Sequence, residues 1–292
     1  MRRPANLRAH LALGLMVTLW SGAFVGIKAA LDTGIGTSDL VVVRFLLAAP
    51  AFALVALARR PLGITRAALP RIVLGGVFGV AVYQLTLNEG ALRTTAGVTS
   101  LIIASCPALT LLIARATGLE RLTPARVGGI ALAFSGIAVV AIWAPGQGLE
   151  LDHLAGPLWV LAASLAWAVY SIVMKPALAT GDSLGITAAS TLAGAVCTLP
   201  FVRPSTVDVI VHLTLDQLLI LLWLSLAVTV IGYLAWNEGV RGLDASRASV
   251  YLYPITPLSL LAAVVLLDEP WSPALGISCV LVLAGVALAQ RR

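Results

Sequence analysis

Charge is scarce in this chain. Asp, Glu, Lys and Arg make up 11% of its 292 residues, where a soluble domain carries roughly a quarter. Hydrophobic residues make up 60%, and mean hydropathy is +1.00. A water-soluble fold is excluded, because no single core hides so much apolar surface. Histidine is also rare. His10, His153 and His212 all lie in the flanks of apolar runs, which argues against a buried histidine proton relay. Cys106, Cys197 and Cys279 stand apart inside apolar runs, without metal-type spacing. They read as small core residues, with no disulfide framework. No metal and no cofactor are expected. Acids are missing from the middle of every long apolar run. That removes the deep carboxylate for which protons and cationic substrates would compete.

What is present is a series of long apolar segments. A membrane-spanning helix needs roughly 20 mostly apolar residues. Ten segments meet that length, at about 10–31, 39–58, 71–91, 96–115, 125–143, 156–177, 184–202, 216–237, 246–267 and 272–290. The fold class is therefore all-α integral membrane. The connections are too short for a soluble domain. The longest polar interruption, APGQGLELDH at 144–153, divides the segments into two fives. The basic start MRRPANLRAH resembles the head of a signal peptide, but the apolar run behind it is too long and no small-residue cleavage site follows. The first segment is expected to stay as a span.

The net charge of +6 resolves into topology rather than a nucleic-acid surface. With a cytoplasmic N-terminus, the inner ends collect fifteen cations: Arg2, Arg3, Arg8, Arg59, Arg60, Arg66, Arg71, Arg115, Arg121, Arg126, Lys175, Arg241, Arg247, Arg291 and Arg292. The outer ends collect four, namely Lys28, Arg44, Arg93 and Arg203. This positive-inside bias puts both termini in the cytoplasm. The expected location is a bacterial cytoplasmic (inner) membrane, crossed many times.

The chain also repeats itself. WSGAFVGIKAALDTG at 20–34 aligns with WAVYSIVMKPALATG at 167–181 at a constant offset of 147, pairing Trp20 with Trp167 and Lys28 with Lys175. Asn88-Glu89-Gly90 recurs as Asn237-Glu238-Gly239. Pro107 and Pro257 occupy matching segments. ERLTP at 120–124 matches EPWSP at 269–273, with Gly136 and Gly285 equally far beyond. The expected organisation is two five-helix units, 1–145 and 154–292, within one integrated membrane domain. Because five is odd, the copies cross the membrane in opposite senses. Such inverted-topology repeats typify secondary transporters that bind substrate near the midplane.

LWSGAFVGIKAAL, LNEGALRTTAGVTSLIIASCPALTLLIARATGLERLTPARVGGIALAFSGIAVV and their second-half counterparts resemble the paired EamA-type domains of the drug/metabolite transporter superfamily. Within it, the likeness is to bacterial exporters of amino acids, particularly aromatic ones. Nearly the whole chain takes part. The family's basic residue followed by Phe is met by Arg44-Phe45 in the second segment. The seventh reads ASTLAGAV instead. The resemblance implies export of small metabolites by alternating access, and a chain that is not an enzyme. Export of nucleobases, sugar conjugates or drugs in the same fold is the alternative. A lipid-modifying membrane enzyme is the second, although its polar residues would have to cluster at a membrane face. A small-molecule substrate and the bilayer are the expected partners, with no nucleic acid; a monomeric state is left open.

Polar and aromatic groups inside the spans are the candidate site. Trp20 and Trp167 sit too near mid-helix for an interfacial belt. Tyr83, Gln84, Tyr170, Tyr233, Trp236 and Tyr251 add rings and hydrogen-bonding tips suited to apolar side chains and amino-acid head groups. The alternative reading for such rings is packing or a belt, which suits Trp143, Trp159, Trp223 and Trp271 better. Lys28 with Glu89, and Lys175 with Glu238, form one end-of-span set on each face, either gating or simply snorkelling and ending helices. Pro107, Pro254 and Pro257 interrupt the fourth and ninth segments, with Ser100, Ser105, Ser249 and Thr256 near enough to satisfy freed carbonyls. Gly22 with Gly26, and Gly75 with Gly79, read as close helix contacts.

Overall fold

A computed structural model describes residues 5–59, 64–118, 123–146, 150–180, 182–242 and 250–290. Among the described residues the chain is helical, without strands. Eight helices are long and apolar enough to cross a membrane. They are α1 (Leu7–Asp32), α2 (Thr37–Ala58), α3 (Leu69–Arg93), α4 (Ala96–Ala116), α5 (Pro124–Trp143), α6 (Asp152–Leu178), α7 (Ser183–Phe201) and α8 (Leu215–Trp236). Two shorter apolar helices follow, α9 (Ile255–Leu266) and α10 (Pro273–Ala289). A short helix, Pro204–Val211, lies between α7 and α8. Arg2, Arg3, Arg60, Glu120, Arg121, Gly181, Arg247, Ser249, Arg291 and Arg292 lie outside the described residues.

The helix starts follow local rules. Thr95, Thr123 and Asp182 each accept a backbone N–H from the first turn of α4, α5 and α7, and Thr214 with Gln217 forms a capping box at α8. Pro124 and Pro273, the matched prolines of the repeat, open α5 and α10, where a missing N–H has no cost. Gly34 closes α1 at φ 89° and Gly118 follows α4 at φ 73°, in the left-handed region that glycine tolerates best.

Two departures from regular helix matter for the site. A π-helical stretch, Val77–Val82, lies inside α3, and another, Trp223–Ile231, lies inside α8. The repeat aligns the two stretches. Such wider turns rotate the residues beyond them and are common at functional sites. The sequence pattern did not signal them.

The outer surface is apolar, and a few small polar side chains lie in the interior. Leu54, Leu158, Leu266 and Val280 point outward and are more than 60% exposed. Ser164, Ser225, Ser259 and Ser278 are fully buried. Interhelical hydrogen bonds join helices where apolar burial offers no drive in lipid. Ser278 Oγ donates to the Gly136 carbonyl at 2.6 Å, and Ser259 Oγ to the Ser21 carbonyl at 2.7 Å.

The helices pair as α1 with α8, α3 with α6, α2 with α7, α3 with α7, α2 with α8, α1 with α9, α4 with α6 and α5 with α10. Exchanging α1–α5 with α6–α10 preserves these extensive pairings, whereas among the described residues the contacts of α1 with α3 and with α4 are not matched by α6 with α8 and α9. Residues 246–249 of the expected ninth span lie outside the described residues. Regular helix begins at Ile255, after a 3₁₀ turn at Val250–Leu252.

Candidate functional site

Arg44, counted with the outer ends by sequence, is buried within α2. It is the eighth residue of α2, about 10 Å along the axis from Thr37, and is 5% exposed. Its Nε and Nη2 donate to Thr229 Oγ1 at 3.1 and 2.8 Å, and its Nη1 to Gln84 Oε1 at 3.3 Å. Thr229 belongs to the π-helical stretch of α8. Its own hydroxyl donates to the Leu224 carbonyl, five residues back, at 2.7 Å. That bond turns the oxygen's lone pairs toward the guanidinium. The Phe45 ring lies 5.8 Å from the Arg44 Cζ.

Two aromatic clusters flank this polar node. In the first, Trp20 of α1 packs edge-on to Tyr233 of α8 at 5.8 Å and stacks on Trp236 at 6.1 Å. Trp20 Nε1 donates to the Val228 carbonyl at 3.2 Å, and Phe52 of α2 meets Tyr233 at 6.4 Å. In the second, Trp167 of α6 lies 5.0 Å from both Tyr83 of α3 and Tyr170 of its own helix. Tyr83 directly precedes Gln84, and Trp20 is hydrogen-bonded to Val228, which directly precedes Thr229, so the clusters adjoin the two partners of Arg44. The six Trp and Tyr rings are half-buried, and the Phe52 ring is buried.

Small residues make room for these rings. A Cβ on Gly79 would lie 2.5 Å from Tyr170 Cδ2, and one on Gly232 would collide with the Trp20 indole. Gly22 and Gly26 abut Trp223 and Leu224 of α8, and Gly75 abuts Met174 and Ser190, as their spacing suggested.

Seven of the eight aromatic and amide candidates thus come together around Arg44. Tyr251 packs against the same buried cluster as Trp20 and Trp236, formed by Leu13, Met16, Val17 and Ala235, but makes no ring contact with either tryptophan. Its hydroxyl meets His10 Nδ1 at 2.5 Å, about 15 Å along α1 from Trp20 by helical rise. Trp143, Trp159, Trp223 and Trp271 are exposed on the outer surface, as belt residues would be. Arg44, Thr229 and Phe52 were missed as site residues. An arginine several residues inside an apolar run was the available signal.

The end-of-span charges are arranged differently from the expected sets. Lys28 pairs with Asp32, one turn along α1, at 3.2 Å. Glu89 pairs with Arg93 and accepts the Thr37 hydroxyl at the start of α2. Asn88 beside it donates to the Thr37 carbonyl at 3.2 Å. A second acid at this end, buried Asp39, accepts from Thr206 at 2.5 Å and Ser205 at 3.2 Å. Lys175 and Glu238 are exposed near the ends of α6 and α8. The Asn237 side chain lies outside what is described.

Pro107 follows a true break, since α4 consists of Ala96–Ile103 and Cys106–Ala116. The Ile102 carbonyl at the break accepts from Ser105 Oγ at 2.7 Å and from Ser164 Oγ of α6 at 3.3 Å. Pro254 caps α9, and Pro257 lies in its first turn, where proline is tolerated. Pro257 therefore starts a helix rather than kinking one. An apolar groove of about 300 Å³ beside it, lined by Leu260, Leu261, Val264 and Trp271 among others, lies away from the aromatic clusters and holds no charged group.

Comparison with known proteins agrees with this architecture. The EamA-like transporter family matches residues 7–142 and again 154–290. A probable terminal-alkyne amino-acid exporter of Streptantibioticus cattleyicolor is 34% identical over 98% of this chain and 94% of that protein. The aromatic amino acid exporter YddG of Ancylobacter novellus is 26% identical over 94% of this chain and 85% of its own length. A probable amino-acid metabolite efflux pump of Escherichia coli is 26% identical over 93% and 91%. A solved crystal structure shares the fold with TM-score 0.64 at 22% identity, over 99% of this chain and 97% of the other. With both halves matched and 34% identity to a relative along almost its entire length, the chain belongs to the EamA-like transporter family.

Proposed function

We propose that the chain is a secondary transporter of ten spans that exports amino acids with aromatic or apolar side chains from the cytoplasm. The carrying observation is that the Trp20–Tyr233–Trp236 and Tyr83–Trp167–Tyr170 clusters adjoin one buried polar node. Rings with polar tips around a few hydrogen-bonding groups suit a small molecule that has an apolar side chain and a polar head. Each cluster joins helices from both halves, α1 with α8 and α3 with α6. A relative motion of the halves would therefore reshape both clusters together.

The helix pairing that survives exchange of α1–α5 with α6–α10 supports two inverted five-helix units, 1–145 and 154–292. Alternating access then follows from rocking one unit against the other about the central site. Both termini lie on the cytoplasmic side of a bacterial inner membrane, in line with the excess of Arg and Lys at that face. The names of the amino-acid exporters among the relatives favour this substrate class over nucleobases or sugar conjugates.

The test is efflux from liposomes that hold the purified protein and a mixed metabolite pool, read by mass spectrometry. Aromatic and branched amino acids should leave faster than from protein-free liposomes. Selective loss of nucleobases or sugar conjugates, with amino acids retained, would replace this reading by the alternative.

A further inference from the structure

We propose that Arg44 binds the carboxylate of the transported molecule. The proposal deepens the exporter reading and rests on it. It narrows the substrate to a molecule with one carboxylate beside an aromatic or aliphatic side chain.

Three observations carry it. First, the cation is buried without a counter-ion. Among the described residues, no Asp or Glu forms an ion pair with Arg44. The nearest acid along α2, Asp39, is engaged by Thr206 and Ser205. A buried charge held only by neutral groups is costly, and one inside a membrane marks a substrate path. Second, the hydrogen-bond supply exceeds the demand. A guanidinium has five N–H donors. The bonds to Thr229 and Gln84 use three. One N–H remains on each terminal nitrogen, and a carboxylate's oxygens can accept both. Third, the surroundings fit the rest of the molecule. Tyr83 adjoins Gln84 and Trp20 is hydrogen-bonded to Val228 beside Thr229, so a ring of each cluster adjoins a partner of Arg44 and can meet the side chain attached to the bound carboxylate. A single guanidinium with neutral partners balances one negative charge. That favours a carboxylate over a phosphate ester carrying two. The repeat provides no second such group, since α7 carries Ser190 and Thr191 in the corresponding stretch.

The test is competition against labelled L-phenylalanine counterflow in proteoliposomes. The competitors are 3-phenylpropionate, which keeps the carboxylate and lacks the amine, and phenylalaninamide and phenethylamine, which lack the carboxylate. 3-Phenylpropionate should compete strongly. The two amines should be weaker by roughly 10- to 100-fold, the worth of a charge-assisted contact. Arg44→Gln, purified as a monodisperse protein, should lose the discrimination, and Arg44→Lys should keep part of it. The competitor series uses the unaltered protein and decides even if Arg44→Gln does not fold. Equal competition by phenethylamine and phenylalanine would overturn the carboxylate assignment and leave the exporter reading standing. So would full discrimination retained by Arg44→Gln. Absence of phenylalanine counterflow, together with efflux of another metabolite class, would remove both.

Discussion

The Glu269 carboxylate, in the turn between α9 and α10, accepts the backbone N–H of Ala96 at 2.5 Å and of Gly97 at 3.0 Å. These bonds cap the start of α4 from 173 and 172 residues away. They satisfy orphan donors and place negative charge at the positive end of the helix. Asp268 just before it has a left-handed backbone, φ 51°. The turn thereby tolerates strain while presenting the next residue to α4. Glu269→Ala should cost about 1–2 kcal/mol, in the range for losing a helix cap. A lower detergent-solubilised melting temperature would show it. An unchanged melting temperature would mean that solvent replaces the cap freely.

The other repeated acids belong to the ends of α3 and α8. Glu89 ties the end of α3 to Thr37 at the start of α2. In the proposed topology, where this end faces outward, Glu89→Gln should loosen it and raise the outward-open population. Glu238→Gln, at the opposite face, should raise the inward-open one. A contribution of about 1–2 kcal/mol shifts the ratio roughly five- to thirty-fold. Labelling of cysteines placed along the cavity, read from each side, measures it. Shifts in the same direction for both variants would reduce these glutamates to helix ends.

The long helices were legible because the bilayer dictates their length and their apolar composition. The matched Pro124 and Pro273 were legible because proline fits a helix start. Centrality alone pointed to Trp20 and Trp167. Arg44 was not legible as a site residue, because a charge near the start of an apolar run looks like one that reaches for the headgroups. Its partners Gln84 and Thr229 are 40 and 185 positions away, so only the fold brings them together. Tyr251 also has a partner that only the fold supplies, His10, 241 positions away. Lys28 shows the opposite lesson. Its partner Asp32 is four residues on, and helical spacing alone would have found it.

Gly79 tests the fit of the second cluster. Alanine there pushes its Cβ to within 2.5 Å of the Tyr170 ring, so the ring must move and disturb Trp167. Overpacking of this kind costs about 1–3 kcal/mol. Gly79→Ala should weaken transport of phenylalanine and tryptophan more than that of valine, judged by half-saturating concentrations. Equal loss for all three would place Tyr170 in packing alone.

The central claim is that the two aromatic clusters hold the substrate. Equilibrium binding of L-phenylalanine to the purified protein in nanodiscs, by calorimetry, tests it most directly when repeated with Trp167→Ala. Removing the indole takes away ring contact worth on the order of 1–3 kcal/mol. Saturable binding to the unaltered protein should weaken roughly 5- to 150-fold in a variant that stays folded. Absent binding, or binding that Trp167→Ala leaves unchanged, would contradict the account.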